Sequence, residues 1–199
     1  MYWRRAFDKH SRLSRKWTTI RRVKVLIASN LVLEPQGAAH AGEMFAVLSD
    51  RAIYEFENAP PVSEAWLRER FSKLEARHSP DGKEQWLNWV IRLPSGKLAG
   101  YVQATVTMDG KAHVAYELAS AYWGQGVGSR AVTIMLAHLA RDYAVTEFFA
   151  TLKVANHRSL KLLTRNGFAP ASISQTDGWS IESDERVMYR APDQLAGAG

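Results

Sequence analysis

Cysteine is absent from this chain of 199 residues. Its absence excludes a disulfide framework, thiolate metal sites and a cysteine nucleophile, and makes a reducing compartment such as the cytoplasm the simplest setting. No apolar run approaches the roughly 20 residues of a membrane span, and the stretch 23–28 is too short even for the core of a signal peptide. No phosphate-binding Gly-x4-Gly-Lys-Ser/Thr loop occurs, because Gly82-Lys83 and Gly96-Lys97 lack the rest of the pattern. A Gly-x-Ser-x-Gly elbow, which would present a nucleophilic serine, is also missing. The six histidines include no i, i+4 pair and no ligand cluster, so no metal site is expected. Neither an internal repeat nor a low-complexity segment is visible.

What is present suits one globular domain, with 46% hydrophobic residues available for its core. The net charge of +6 is unevenly spread. Residues 1–28 hold nine Lys and Arg against Asp8 alone, a surplus of +8 that leaves the remainder mildly acidic. The expected organisation is a basic, poorly ordered arm over 1–28, a folded domain over 29–190 and a frayed tail over 191–199. The arm reads either as a contact for RNA, such as the ribosome, or for acidic lipid, or as a leader with no role of its own.

Within the domain, 31–33 reads as a strand stopped by Pro35, and 38–48 as a helix with Ala41, Phe45 and Leu48 on one face. A connector over 51–61 follows, and Ser63 caps a helix running to about 78. Three antiparallel strands are expected at 85–93, 98–107 and 111–118, joined by turns at 94–96 and 108–110. Then come a helix over about 129–143, a strand over 146–152, a helix capped by Asn156 and closed by Gly167, and a strand over 187–189.

The informative stretch is Tyr122-Trp123-Gly124-Gln125-Gly126-Val127-Gly128-Ser129-Arg130-Ala131. Before it, residues 111–118 alternate strictly, with Ala112, Val114, Tyr116 and Leu118 on one face and Lys111, His113, Ala115 and Glu117 on the other. After it, Val132, Met135, Leu136, Leu139 and Tyr143 recur at helical spacing. A strand thus ends, glycines turn the backbone, and a helix starts with free N–H groups, which is an arrangement that binds phosphate. A dinucleotide fingerprint fits less well. Its third glycine falls on Ser129, and Glu147 sits at the start of the next strand where the ribose-binding acid belongs near the end.

The loop resembles the pyrophosphate loop of the GNAT acyl-CoA N-acyltransferase superfamily, Gln/Arg-x-x-Gly-x-Gly/Ala, with Gly126 and Gly128 at the small positions and Trp123 where Gln or Arg is usual. Residues 156–168, from Asn156 through Ser159 to Gly167-Phe168, resemble the second signature of that superfamily. Leu31-Val32-Leu33-Glu34-Pro35, Tyr116-Glu117-Leu118 and Tyr122-Trp123-Gly124 resemble its Rim-type branch, whose members acetylate ribosomal-protein N-termini.

That resemblance implies an α/β (α+β) fold, with a mixed, mostly antiparallel sheet of about six to seven strands flanked by about four helices. It implies acetyl-CoA as co-substrate and an amine acceptor, either a peptide N-terminus or a small amine, attacked directly in a ternary complex; a homodimer is left open. The backbone of Gln125, Gly126, Val127, Gly128, Ser129 and Arg130 would cradle the pyrophosphate, and Leu118, Ala119 and Ser120 would pair with pantetheine. Asn156 and Ser159 would also meet the cofactor. Candidates for the base are His113, Glu117 and a water relay, and Ser159 is the candidate proton donor to the thiolate, since Leu163 replaces the tyrosine of many relatives. Arg130, Arg158 and Lys161 are candidates for the 3′-phosphate. The acceptor pocket would lie between the connector 51–61 and the acidic loop of Asp177, Glu182, Asp184 and Glu185. The rival readings are an acyl-CoA-binding module without catalysis and an RNA- or ribosome-bound protein working through its basic arm.

Overall fold

The computed structural model describes residues 23–28, 30–56 and 58–191. Eight strands form one sheet in the order β1-β2-β3-β4-β5-β6-β8-β7. They are β1 (Leu26–Ala28), β2 (Leu31–Pro35), β3 (Glu84–Arg92), β4 (Leu98–Thr107), β5 (Lys111–Leu118), β6 (Glu147–Lys153), β7 (Ala169–Pro170) and β8 (Glu185–Arg190). Only β5 and β6 run parallel, because the helix between them carries the chain back across the sheet. Four helices cover the faces: α1 (Ala41–Leu48), α2 (Glu64–Leu74), α3 (Val127–Tyr143) and α4 (His157–Arg165).

Alternation along the strands sorts the side chains into two cores. Leu87, Trp89 and Ile91 of β3 and Ala112, Val114 and Leu118 of β5 pack under α3, whose Val132, Met135, Leu136, Leu139 and Tyr143 are all buried, and under Leu163 of α4. On the opposite face, Val90 and Leu98 meet Met44 and Leu48 of α1 and Leu67 and Phe71 of α2. Each face of the sheet thus carries one helical layer.

Several boundaries differ from the sequence expectation. The strand count is eight because β1 and the two-residue β7 carry too little pattern to be read alone. β1 pairs Leu26 with Leu33, so the sheet begins before residue 29. Most of the expected basic arm, and the tail beyond 191, lie outside the described residues. α1 is preceded by a 3-10 turn at Ala38–His40. α2 ends at Leu74 and not near 78, and Arg77 then takes a left-handed backbone (φ 61°) that no helix accommodates. α3 begins at Val127, two residues early, because Gly126 supplies the turn.

Candidate active site

Pairing between β5 and β6 lasts three residues, Lys111↔Glu147, Ala112↔Phe148 and His113↔Phe149. Beyond that point β4 holds β5 as far as Leu118, and β8 holds β6 as far as Lys153. The strands therefore fork, and the fork opens into a cleft of about 990 Å³ lined from both faces of the sheet. Ala119 donates its N–H to Ala99 on the β4 side at 2.9 Å. Alternation then turns the amides of Tyr116 and Leu118 toward the fork, beyond the last paired residues, where an extended chain could add as a strand.

The turn after β5 is held from several sides. The Trp123 indole N–H donates to the Leu118 carbonyl at 2.9 Å, and Gln125 Nε2 donates to the Ala121 carbonyl at 2.7 Å. Gly126 sits at φ 75° as the residue before α3 and offers no side-chain cap. The first turn of α3 contains no acid, so its N–H groups and the positive end of the helix dipole face the cleft uncompensated. Gly128 allows close approach of α4, since a Cβ there would lie 2.9 Å from Leu162 Cδ1. The Ser129 hydroxyl accepts from Asn166 Nδ2 at 2.9 Å, which fastens α3 to the end of α4.

Two of the expected pantetheine donors are already used. The Ala119 N–H goes to Ala99, and the Ser120 N–H goes to Asp50 Oδ2 at 2.7 Å. Of that trio only Leu118 keeps an amide directed at the fork. Leu118, Gly126, Gly128, Ser129, Asn156 and Ser159 line the cleft, whereas Ala119, Ser120, Gln125, Val127 and Arg130 are not among its lining residues. Arg130 is exposed and reaches the Gln125 carbonyl at 3.3 Å.

On the α4 side, Asn156 Oδ1 accepts the Ser159 N–H at 3.0 Å as the helix cap. Ser159 Oγ lies 2.7 Å from the hydroxyl of Tyr116, which also donates to the Ser159 carbonyl at 3.2 Å. Burial holds the Tyr116 phenol well above its ordinary pKa, so it stays protonated, although the hydrogen bond to Ser159 opposes the shift. Tyr116 is the site residue that sequence reasoning missed. The signal was there: a tyrosine on the apolar face of a strand must find its hydroxyl a partner. Arg158 stacks 4.1 Å above the Trp123 ring and 5.6 Å from Phe56, and pairs with Glu55 at 2.5 Å. A guanidinium thus reaches the loop from α4, at the place where Trp123 replaced the usual Gln or Arg.

The other face of the fork carries Glu117, Tyr101, Tyr54 and His113. Tyr101 is partly buried and hydrogen-bonds Glu117; desolvation first and the Glu117 charge second push its pKa well above normal. Tyr54 is shifted the same way by burial, Glu117 and Asp50, and its hydroxyl donates to the Leu48 carbonyl at 2.8 Å. His113 lies at the root of the fork, with Nε2 3.1 Å from Thr151 Oγ1 and its ring 6.2 Å from Trp179. Four residues at ~3.3 Å each separate it from Glu117 by about 13 Å along β5.

Burial pushes the His113 pKa down to about 4, so the ring is neutral at neutral pH. Its folded value lies below the unfolded value near 6.5, so the unfolded chain binds the proton first as pH falls. Stability is therefore expected to decline between about pH 6.5 and 4, by on the order of 3 kcal/mol for this group. Denaturant melts of wild type and His113→Gln across that window should show the variant's decline to be shallower; parallel curves would remove His113 as the cause.

The connector 51–61 lines the cleft through Ile53, Tyr54, Phe56, Asn58, Ala59 and Pro61, as expected. The acidic loop does not. Asp184 and Glu185 pair with Lys153 at 2.8 and 3.4 Å, and neither they nor Asp177 or Glu182 lines the cleft. Among the described residues no group of three His, Asp or Glu converges as a metal site would, and no helix is long and apolar enough to cross a membrane.

Comparison with solved structures finds the same fold. The RimL ribosomal L7/L12 α-N-protein acetyltransferase, in complex with coenzyme A, superposes with a TM-score of 0.71 at 17% identity, covering 84% of this chain and 98% of that one. The ribosomal-protein-S5-alanine acetyltransferase from Vibrio fischeri gives 0.70 at 18% identity, covering 86% and 98%. The aminoglycoside acetyltransferase AAC(6')-Ib, in complex with coenzyme A, gives 0.68 at 19% identity, covering 84% and 98%. No curated protein shows a significant sequence match. Residues 30–169, which hold β2 through β6 and all four helices with the forked strands and the glycine turn, match the acetyltransferase (GNAT) domain. By that match the chain belongs to the GNAT acetyltransferase family.

Proposed function

We propose that the chain transfers the acetyl group of acetyl-CoA to a primary amine, by direct attack of the amine on the thioester within one ternary complex. The observation that carries this reading is the fork itself. It offers unpaired strand amides for pantetheine, an uncapped helix start for the pyrophosphate, and a carboxylate on the far side of the same opening.

In this mechanism the N–H of Leu118 holds the thioester oxygen as charge develops on it. Glu117, the residue before it, points to the opposite face with Tyr101 and accepts the proton of the attacking amine. It is better placed than His113, which lies deeper in the fork, at its root against Thr151 and Trp179. The C–N bond forms, the C–S bond breaks, and the departing thiolate takes a proton from Ser159 Oγ as Tyr116 passes its own to Ser159 across their 2.7 Å contact; solvent entering the cleft as product leaves restores the phenol and takes the amine's proton from Glu117. Tyr116 thus stands in for the phenol that Leu163 does not provide.

Isothermal calorimetry with acetyl-CoA, followed by thiol release against an amine panel, tests the whole reading; absence of heat on addition of acetyl-CoA or coenzyme A would end it. Ser159→Ala and Tyr116→Phe are each expected to lower kcat about tenfold or more with little change in KM for acetyl-CoA. If the two hydroxyls form one relay, the double variant should be no worse than the poorer single one. Multiplicative losses in the steady-state cycle would break the relay.

A further inference from the structure

Helix α2 carries three cations, and two have acidic partners one turn earlier: Arg68 pairs with Glu64, and Lys73 with Glu69 at 2.6 Å. Arg70 has Trp66 at the corresponding position, with its guanidinium carbon 5.6 Å from the ring centroid. Among the described residues no carboxylate lies within ion-pair distance of Arg70, which is half-buried and turned into the cleft. It also lines a smaller pocket of about 320 Å³ together with Trp66, Leu74, Trp86 and the Glu69–Lys73 ion pair, continuous with the main cleft through Trp66, Leu74 and Trp86. Tyr101 lies between the two charges of this region, hydrogen-bonded to Glu117 and within electrostatic reach of Arg70. One wall of the cleft therefore brings together a carboxylate, a phenol, a guanidinium and two indoles.

Such a wall suits a molecule with opposite charges at its two ends. A guanidinium binds a carboxylate through two parallel hydrogen bonds, and apolar walls strengthen the attraction by excluding water. We propose that Arg70 binds a carboxylate of the acceptor while the acceptor's amine lies at Glu117 and its stem packs between Trp66 and Trp86. The inference rests on the acetyl-transfer reading and names the acceptor class within it, an amine that also bears a carboxylate. Two sources share that chemistry: an acidic side chain just behind a peptide N-terminus, and the terminal carboxylate of a dipeptide-sized molecule. A polycation would set like charge against Arg70 and is disfavoured.

The test offers the whole chain acetyl-CoA with matched acceptors. One arm uses peptides with Asp or Glu at the second or third position, their Asn or Gln isosteres, and their Lys counterparts. A second arm uses dipeptides with free or amidated C-termini. The acidic member of at least one arm is expected to exceed its neutral isostere in kcat/KM by about 10- to 100-fold, and the arm that shows the ratio identifies the source. Arg70→Gln should collapse that ratio to near one, and Arg70→Glu should shift preference toward the Lys peptides, with acetyl-CoA affinity by calorimetry unchanged in both. Equal rates for acid and isostere in wild type would overturn the inference whatever the variants do. So would acetyl-CoA binding without turnover of any carboxylate-bearing acceptor, or a loss in Arg70→Gln that is uniform across the panel. In these cases the acetyl-CoA reading survives, whereas failure to bind acetyl-CoA removes both.

Discussion

Glutamine in place of Glu117 is expected to lower kcat by about two to four orders of magnitude and to leave acetyl-CoA affinity unchanged. The substitution keeps the shape and one hydrogen-bonding oxygen toward Tyr101, so the fold and the aromatic wall should persist. What it removes is the ability to take a proton. A protonated amine cannot attack, so the loss should be largest where deprotonation limits the rate and should shrink as pH approaches the pKa of the amine. A pH–rate profile of wild type and variant, each checked by calorimetry with acetyl-CoA, measures this. The matching profile of His113→Gln should retain the wild-type shape near neutrality. If His113→Gln loses the activity and Glu117→Gln keeps it, the base is assigned to the wrong residue.

Valine at Gly126 should raise the dissociation constant for acetyl-CoA by about a hundredfold. Two effects act together. At φ 75° a residue with a Cβ is strained by roughly 1–2 kcal/mol, and a β-branched one more, so the turn would relax away from the geometry that starts α3 at Val127. The added Cβ would also lie 2.9 Å from Arg130 Nη1, which is flexible, so the cost falls on the backbone and on any phosphate seated against it. Gly126→Ala should show the same trend at smaller size. Calorimetry reads the affinity, and a thermal melt separates lost binding from lost fold. An unchanged affinity in a folded variant would place the pyrophosphate elsewhere.

How far the sequence announces this protein depends on whether a feature is local. The alternation of 111–118 and the apolar spacing of α3 are repetitive, so strand, helix and buried face could all be read, and the glycines marked the turn. β1 and β7 have three and two residues and exist only through their partners β2 and β8. The site divides in the same way. Gly126, Gly128 and Asn156 are conformational signals on the chain itself and could be found. The tie from Asp50 to Ser120, the contact between Tyr116 and Ser159, and the seat of Arg158 over Trp123 join residues 70, 43 and 35 positions apart, which periodicity cannot reach. The acidic loop misled for a related reason. Composition shows its charge, but not that Lys153 neutralises part of it away from the cleft.

The three rungs between β5 and β6 have a mechanical consequence. Strands β1–β5 form one continuous fabric and β6–β8 another, and among the described residues these are stitched along the backbone by those rungs and by the Thr146 and Glu147 amides on the Gly110 carbonyl at their base. A ligand laid into the fork would extend the seam, so amide protons of Tyr116 and Leu118 that exchange readily in the empty protein should become slow when it is filled. The molecule would then melt as a single body at a temperature set by ligand concentration.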